Sequence, residues 1–171
     1  GESYFDLERL FTKLDTSSSW APLRSLETAG VVTGLIDVPS WGAYTMQSEF
    51  SFLSGLKNHM LGVDRINPYM RFAQKPVSTF VGPLKHAGYP TLCIHPAKRE
   101  FFRRSDVMSN LGFDDFIGLE AFEGAELFGE YISDKSLADK IDEIVAAHHA
   151  SSSQPLFIFA ITIESHGPWA K

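Results

Sequence analysis

Three short apolar stretches in this chain each end on residues that could handle a phosphoryl group. After Val31–Val38 comes Pro39-Ser40-Trp41-Gly42-Ala43-Tyr44-Thr45, with a hydroxyl at the expected start of a helix. After Thr91–Ile94 comes His95, followed by Lys98, Arg99, Arg103 and Arg104. After Leu156–Ile163 comes Glu164-Ser165-His166-Gly167-Pro168-Trp169. A nucleophile, cationic clamps and hydrogen-bond donors for developing charge are what phosphoryl transfer asks of a protein. Each residue also has a plainer role. Thr45 could cap its helix, His95 could be a hydrogen-bonded core histidine, Arg104 could pair with Asp106 or Glu100 at the surface, and His166 could fix a turn. His148 and His149 are adjacent on a helix, point about 100° apart, and are read as surface.

The elements that must position these residues follow from patterning. Leu7, Leu10, Phe11 and Leu14 recur at helical spacing, and Trp20–Thr28 predicts a helix ending at Gly30. Val31–Val38 predicts a strand, Thr45–Leu56 a helix closed by Gly55, and Ser78–Ala87 a helix entered from Pro76 and closed by Gly88, with Pro83 inside it. Thr91–His95 reads as a buried parallel strand, Arg99–Leu111 as one helix, and Phe113–Ile117 as a strand. Asp134–Ala150 carries an apolar stripe of Leu137, Ile141, Ile144 and Val145, and Leu156–Ile163, apolar but for Thr162, predicts a strand. Strand and helix alternate, which predicts an α/β sheet with helices on both faces. In such sheets ligands sit at the carboxyl ends of the strands, where the three candidate segments fall.

Composition bounds the rest. The chain has 171 residues, 44% apolar and 21% charged, which suits one globular domain and excludes a disordered or collagen-like chain. The net charge of −6 argues against bulk nucleic-acid binding. The charge is uneven: Lys98, Arg99, Arg103 and Arg104 against Glu100 give +3, whereas Asp114–Glu143 holds ten carboxylates and two lysines. The basic run is short enough for a local anion site. Cys93 is the only cysteine, so no intrachain disulfide forms. The longest apolar stretch, Leu156–Ile163, is far short of the about 20 residues of a spanning helix, and Gly1-Glu2-Ser3-Tyr4 does not read as a signal peptide.

The segment Ser40-Trp41-Gly42-Ala43-Tyr44-Thr45-Met46-Gln47-Ser48-Glu49-Phe50, with Glu2-Ser3 before it, resembles the nucleophile region of the lipoteichoic acid synthase and phosphoglycerol transferase family. That family is the sulfatase-like branch of the alkaline phosphatase superfamily. Asn67-Pro68-Tyr69, Gly88-Tyr89, His95-Pro96, Arg104-Ser105-Asp106, Leu111-Gly112-Phe113-Asp114 and Ser165-His166-Gly167-Pro168 follow in the family's order, so the resemblance spans essentially the whole chain. It implies a mixed α/β sheet of the sulfatase and alkaline phosphatase type, flanked by helices on both faces. It implies Thr45 as nucleophile, Glu2 and Thr45 as ligands of a divalent metal, His95 as a substrate-binding histidine, Phe102 and Arg104 as holders of glycerophosphate, and His166 as a later active-site histidine. Phe102 departs from the tryptophan of the synthases. The metal expected is Mn²⁺, with Mg²⁺ or Zn²⁺ as alternatives. Such hard cations favour oxygen ligands and lower the pKa of a coordinated hydroxyl.

The implied reaction moves phosphoglycerol from a phosphatidylglycerol-type lipid to a glucan or teichoic-type acceptor through glycerophosphate on Thr45. The family works at the outer face of a bacterial cytoplasmic membrane, in the periplasm. Its further metal ligands, an Asp-His pair downstream of Ser-His-Gly-Pro, its first strand and its membrane helices have no counterpart in residues 1–171. The chain therefore reads as a fragment of a single sulfatase-like catalytic domain within a membrane-anchored protein, expected to be inactive alone and to leave sheet edges exposed. Two other readings stand beside this one. The first is a phosphodiesterase or sulfatase-type hydrolase using the same threonine, although no Cys/Ser-x-Pro-x-Arg segment surrounds Thr45. The second is a non-catalytic anion- or glycan-binding module. A generic flavodoxin-like domain is disfavoured, because no Gly-rich phosphate loop opens a helix after a first strand.

Overall fold

Strand β1, Thr91–Ile94, is buried at all four positions and carries the sheet. The computed structural model describes residues 11, 13, 15, 17–28, 30–32, 34, 36–39, 44–72 and 75–167, and the statements that follow concern these. The helices are α1 (Ser17–Thr28), α2 (Met46–Ser54), α3 (Pro68–Phe72), α4 (Val81–His86), α5 (Arg104–Asn110) and α6 (Asp134–Ser151). The remaining strands are β2 (Asp115–Ile117), the β3–β4 hairpin (Leu127–Phe128 and Tyr131–Ile132) and β5 (Phe157–Ala160). The main sheet has the order β2-β1-β5 and is wholly parallel, with Cys93 opposite Phe116 on one side and Phe159 on the other.

Alternation along the strands sends side chains to two cores. Cys93, Phe116, Phe157 and Phe159 pack on one face with Met46, Phe50 and Leu53 of α2, Tyr69 of α3, Val81 of α4, and Val107, Met108 and Leu111 of and beyond α5. Ile94, Ile117 and Ile158 pack on the other with Leu137, Ile141 and Ile144 of α6, and with Phe122 and Ile132. The chain steps from β1 out to β2 through α5, then returns past β1 to β5 through α6. Parallel crossovers share one hand, so reversing the direction of travel moves the connection to the opposite face. The expected α/β sheet with helices on both faces is what forms.

Local chemistry explains several of the motifs. Gly112 takes φ +105°, Phe113 enters the core, and the Asp114 carboxylate accepts from the Thr91 N–H (2.9 Å) and Oγ1 (2.8 Å), which locks β1 to β2 at their amino ends. In Asn67-Pro68-Tyr69, the Asn67 side chain accepts from the Met70 N–H at 3.2 Å and Pro68 opens α3, where a missing N–H costs nothing. Gly55 closes α2 at φ +71°.

Four expectations are corrected. The described residues of Val31–Val38 form no strand, and Val32 and Ile36 are strongly exposed. Their apolar pattern meets no ladder partner among the described residues, and strand propensity without one is weak. Ser78–Ala87 is helical only over Val81–His86, so Pro83 falls in the first turn and breaks no helical hydrogen bond. Arg99–Leu111 is not one helix: a 3₁₀ turn at Phe101–Arg103, with Phe102 and Arg103 at φ +55° and +53°, precedes α5. Of Leu156–Ile163 only Phe157–Ala160 is strand, at an edge and half-exposed, while β1 is the buried one. The helix expected at Leu7–Leu14 lies largely outside the described residues.

Helix α6 is capped by Ser133, whose hydroxyl accepts from the Ser136 N–H at 3.0 Å. Ser133→Ala is expected to cost about 1 kcal/mol and Ser133→Gly only a few tenths, read as shifts in the denaturation midpoint of the protein.

Candidate functional site

His95, Arg104 and His166 lie close enough at the carboxyl side of the sheet for the last two to bear on the His95 charge, and Thr45 stands at the amino end of α2. Thr45 immediately precedes α2 and its side chain makes no capping hydrogen bond, so the plain capping role is not the one it performs. Tyr44, just before it, sits in the left-handed region at φ +64°. Among the described residues only Tyr44, Phe102 and Arg103 are non-glycines at positive φ. Tyr44 adjoins Thr45, Arg103 adjoins Arg104, and the Phe102 ring faces the Arg104 guanidinium. Such conformations cost of order 1–3 kcal/mol each and persist where surrounding structure imposes them, commonly at active sites.

The left-handed pair Phe102–Arg103 turns two successive arginines in opposite directions. Arg103 reaches out to Asp106 at 2.9 Å on the surface. Arg104 turns inward, 3% exposed, and its Nη2 donates to Glu49 Oε1 at 2.8 Å. The surface pairing considered for Arg104 therefore belongs to its neighbour. Tyr69 donates its phenol to the other Glu49 oxygen. The Arg104 Cζ lies 5.8 Å from the ring centroids of both Tyr69 and Phe102. Among the described residues nothing pairs with Arg104 Nε or Nη1, both of which are buried.

Glu49 and Tyr69, which join Arg104 in one buried cluster, were not expected from the sequence, although both lie within motifs that carry the resemblance. A signal was present. Met46, Glu49, Phe50 and Leu53 form one i, i+3, i+4, i+7 stripe of α2, and Arg104, Val107, Met108 and Leu111 form another, each with one charge at a core position. Two opposite charges on buried stripes must either meet or forgo their charge.

His95 is buried and its Nδ1 donates to the Ile161 carbonyl at 3.0 Å, just beyond β5. Burial, with the Arg104 guanidinium next in weight, lowers its pKa from the ordinary 6.5 to about 4. The ring is therefore neutral at pH 7, and with the proton assigned to Nδ1 by its carbonyl partner, Nε2 is an acceptor. His166 also bears on the His95 charge. Its own Nδ1 faces the Gly167 carbonyl at 2.6 Å, and the Tyr131 ring meets it edge-on at 5.6 Å. The loop carrying His95 is pinned to the one after β2 by His95 N–H to Ile117 O (2.9 Å), Leu119 N–H to Ala97 O (3.0 Å) and an Arg99–Glu120 pair.

Burial, then the Glu49 carboxylate, raises the Tyr69 phenol and the Cys93 thiol above their usual ranges, so both stay protonated. A shallow cleft of about 390 Å³ lined by Thr79, Gly82, His86 and Gly112 lies at the amino ends of β1 and β2 and touches none of the candidate residues. Of the two expected metal ligands, Thr45 is among the described residues and Glu2 lies outside them. Among the described residues no group of three His, Cys, Asp or Glu side chains could hold a metal ion. Those residues alone do not make a metal centre.

The low pKa of His95 fixes the sign of a pH effect. Between pH 6.5 and about 4 the unfolded chain binds the proton and the folded one does not, so stability falls as pH drops through that window, by up to roughly 3 kcal/mol. Thermal unfolding followed at several pH values should lose this component in His95→Gln.

The model of the family described as Sulfatase matches residues 28–171. A capsular polysaccharide biosynthesis protein, RkpI, of Rhizobium meliloti (strain 1021) is 37% identical over 129 residues, covering 75% of this chain and 24% of that protein. A second protein of the same organism, described as a candidate cyclic β-1,2-glucan modification protein, is 30% identical over 172 residues, 98% of this chain and 25% of its own length. The chain thus spans about a quarter of the curated relatives it matches. Among solved structures, the phosphoglycerol transferase GacH of Streptococcus pyogenes, in complex with sn-glycerol-1-phosphate, superposes with TM-score 0.67 at 26% identity, over 88% of this chain and 39% of that one. The lipoteichoic acid synthase LtaP of Listeria monocytogenes gives 0.66 at 19% identity, over 77% and 31%. The chain belongs to the sulfatase family, and its fold is that of the lipoteichoic acid synthase LtaP and the phosphoglycerol transferase GacH.

Proposed function

We propose that this chain is part of a larger catalytic domain that transfers phosphoglycerol from a phosphatidylglycerol-type lipid to a glucan or related polymer, at the outer face of a bacterial cytoplasmic membrane to which the whole protein is anchored. The observation that carries the reading is the position of Thr45. It stands at the amino end of α2, after a strained Tyr44, on the helix whose next turn grips Arg104 through Glu49. Support for the donor class comes from the glycerol phosphate bound by GacH, and for a glycan acceptor from the names of the two Rhizobium relatives.

In this scheme Thr45 Oγ attacks the donor phosphorus and the bond to the diacylglycerol oxygen breaks. That oxygen leaves as the diacylglycerol hydroxyl, balanced by the proton given up by the Thr45 hydroxyl, and glycerophosphate stays on Thr45. The hydroxyl of the acceptor then attacks the same phosphorus and gives its proton to a histidine, while the bond to the Thr45 oxygen breaks and that oxygen takes up a proton to restore the hydroxyl. His95, neutral with Nε2 accepting and hard to protonate beside Arg104, suits a hydrogen bond from a glycerol hydroxyl better than uptake of that proton or donation to a phosphoryl oxygen. The buried Nε and Nη1 donors of Arg104 match phosphate oxygens, and the aromatic faces of Phe102 and Tyr69 border the guanidinium. His166 stands at the next strand end as a second partner for the leaving or entering oxygen. The amino terminus of α2 adds partial positive charge where negative charge develops.

Superfamily enzymes are generally dependent on divalent metal. Mn²⁺ held by Glu2 and Thr45 oxygens stays part of the proposal, and it would make the threonine hydroxyl a better nucleophile. Water in place of the acceptor would give a phosphodiesterase, with the first step unchanged.

The full-length protein, incubated with Mn²⁺ and a phosphatidylglycerol analogue, should carry a glycerophosphate mass on the Thr45 peptide and release diacylglycerol. Thr45→Ala should abolish the adduct and lower turnover by at least about a thousandfold. Neither adduct nor diacylglycerol from the wild-type protein would overturn the transferase reading. Free glycerol phosphate as the sole product, with polymer acceptor present, would replace it with hydrolysis.

A further inference from the structure

Thr45 and Arg104 lie far apart in sequence, and one side chain joins them. We propose that Glu49, steadied by Tyr69, is the positioning residue that fixes the Arg104 guanidinium relative to Thr45, an inference that rests on the roles given to Thr45 and Arg104 above.

Glu49 follows Thr45 by four residues on α2, so the two share one helix face a single turn apart, and the Glu49 N–H donates to the Thr45 carbonyl at 3.0 Å. One oxygen of the Glu49 carboxylate takes the Arg104 Nη2 at 2.8 Å and the other takes the Tyr69 hydroxyl. With both oxygens engaged from opposite partners, the carboxylate plane is set. All three side chains are at most 5% exposed, and the Tyr69 and Phe102 rings stand equidistant from the guanidinium carbon. The guanidinium is thereby fixed in direction as well as in place.

The pair is poorly explained as a stabilising device. Buried ion pairs give little net stability over apolar replacements, and this one keeps Nε and Nη1 buried without a partner among the described residues. Buried donors without acceptors are rare and call for a reason. An arginine held at one nitrogen while two others wait for an anion supplies that reason. The geometry makes Glu49 a spacer: it transmits the placement of α2, and hence of Thr45, to the group that receives the phosphate.

Two charge-conserving variants of the full-length protein test this. Glu49→Asp keeps the ion pair but shortens the spacer by a methylene, and Tyr69→Phe frees one carboxylate oxygen. Turnover is expressed per active site titrated through the Thr45 adduct, so misfolded molecules drop out. We expect kcat/KM to fall about tenfold in Glu49→Asp and about threefold in Tyr69→Phe. In an Arg104→Gln background neither change should alter the residual rate by more than about twofold, because a residue acting through another has no effect once that other is gone. Wild-type kcat/KM per titrated site in both variants, or an equal loss in the Arg104→Gln background, overturns the proposal.

Failure of the transferase reading would look different: the wild-type protein would neither form the adduct nor turn over. Affinity for inorganic phosphate then decides. Weaker binding in Glu49→Asp only while Arg104 is present upholds the positioning role, and unchanged affinity removes it.

Discussion

A guanidinium buried to 3% exposure must find a carboxylate, and in this chain the rest of the main core is arranged so that it does. Glu49 comes from α2, Tyr69 from α3 and Arg104 from the first residue of α5, so α2 and α5 must meet before the charge is neutralised and α3 must join them before both carboxylate oxygens are satisfied. Any packing that kept the apolar contacts but slipped one helix by a residue would strand an ion in hydrocarbon, at a cost of several kcal/mol. Hydrophobic burial of Phe50, Leu53, Val107, Met108 and Leu111 supplies the drive to collapse, and the ion pair selects one arrangement among the collapsed ones. The same pair reaches into the protonation of its neighbours. Beyond the effect of burial itself, the Glu49 charge raises Tyr69 and Cys93 while the Arg104 charge lowers His95. Phenol, thiol and imidazole are thus all neutral around a single compensated ion pair.

The sheet determines where this can be used. Two crossovers on opposite faces place the ends of β1 and β5 side by side, and His95 spans them through its bond to the Ile161 carbonyl. Backbone strain falls at Tyr44, next to Thr45, and at Phe102–Arg103, just before Arg104. At Phe102–Arg103 its effect is plain: without the left-handed turn, Arg104 could not leave the surface while Arg103 stays on it.

Much of this was legible in the sequence. The stripe Leu137, Ile141, Ile144 and the buried run Thr91–Ile94 are dictated by local pattern, and both formed where expected. The candidate threonine, arginine and two histidines fell at strand or helix ends because topology gathers such ends. What was not legible depends on distance or on backbone. Val31–Val38 has the composition of a strand, but a strand exists only in a ladder, and composition does not say whether a partner arrives. The break at Phe102–Arg103 leaves no trace in side-chain type, since neither residue favours the left-handed region. Glu49 was hidden by its own motif: its meaning lies 55 residues away at Arg104, and only its place on an otherwise apolar stripe betrayed it.

Cys93 sits on the middle strand with its side chain on the same face as the ion pair, fully buried, with its thiol held protonated. It is also the only sulfhydryl in the chain. An alkylating reagent can reach it only when the helical layer above β1 lifts away. The rate of its modification is therefore a clock for the opening of that layer, one built into the chain without a label, and it runs on the same motion that would separate Glu49 from Arg104.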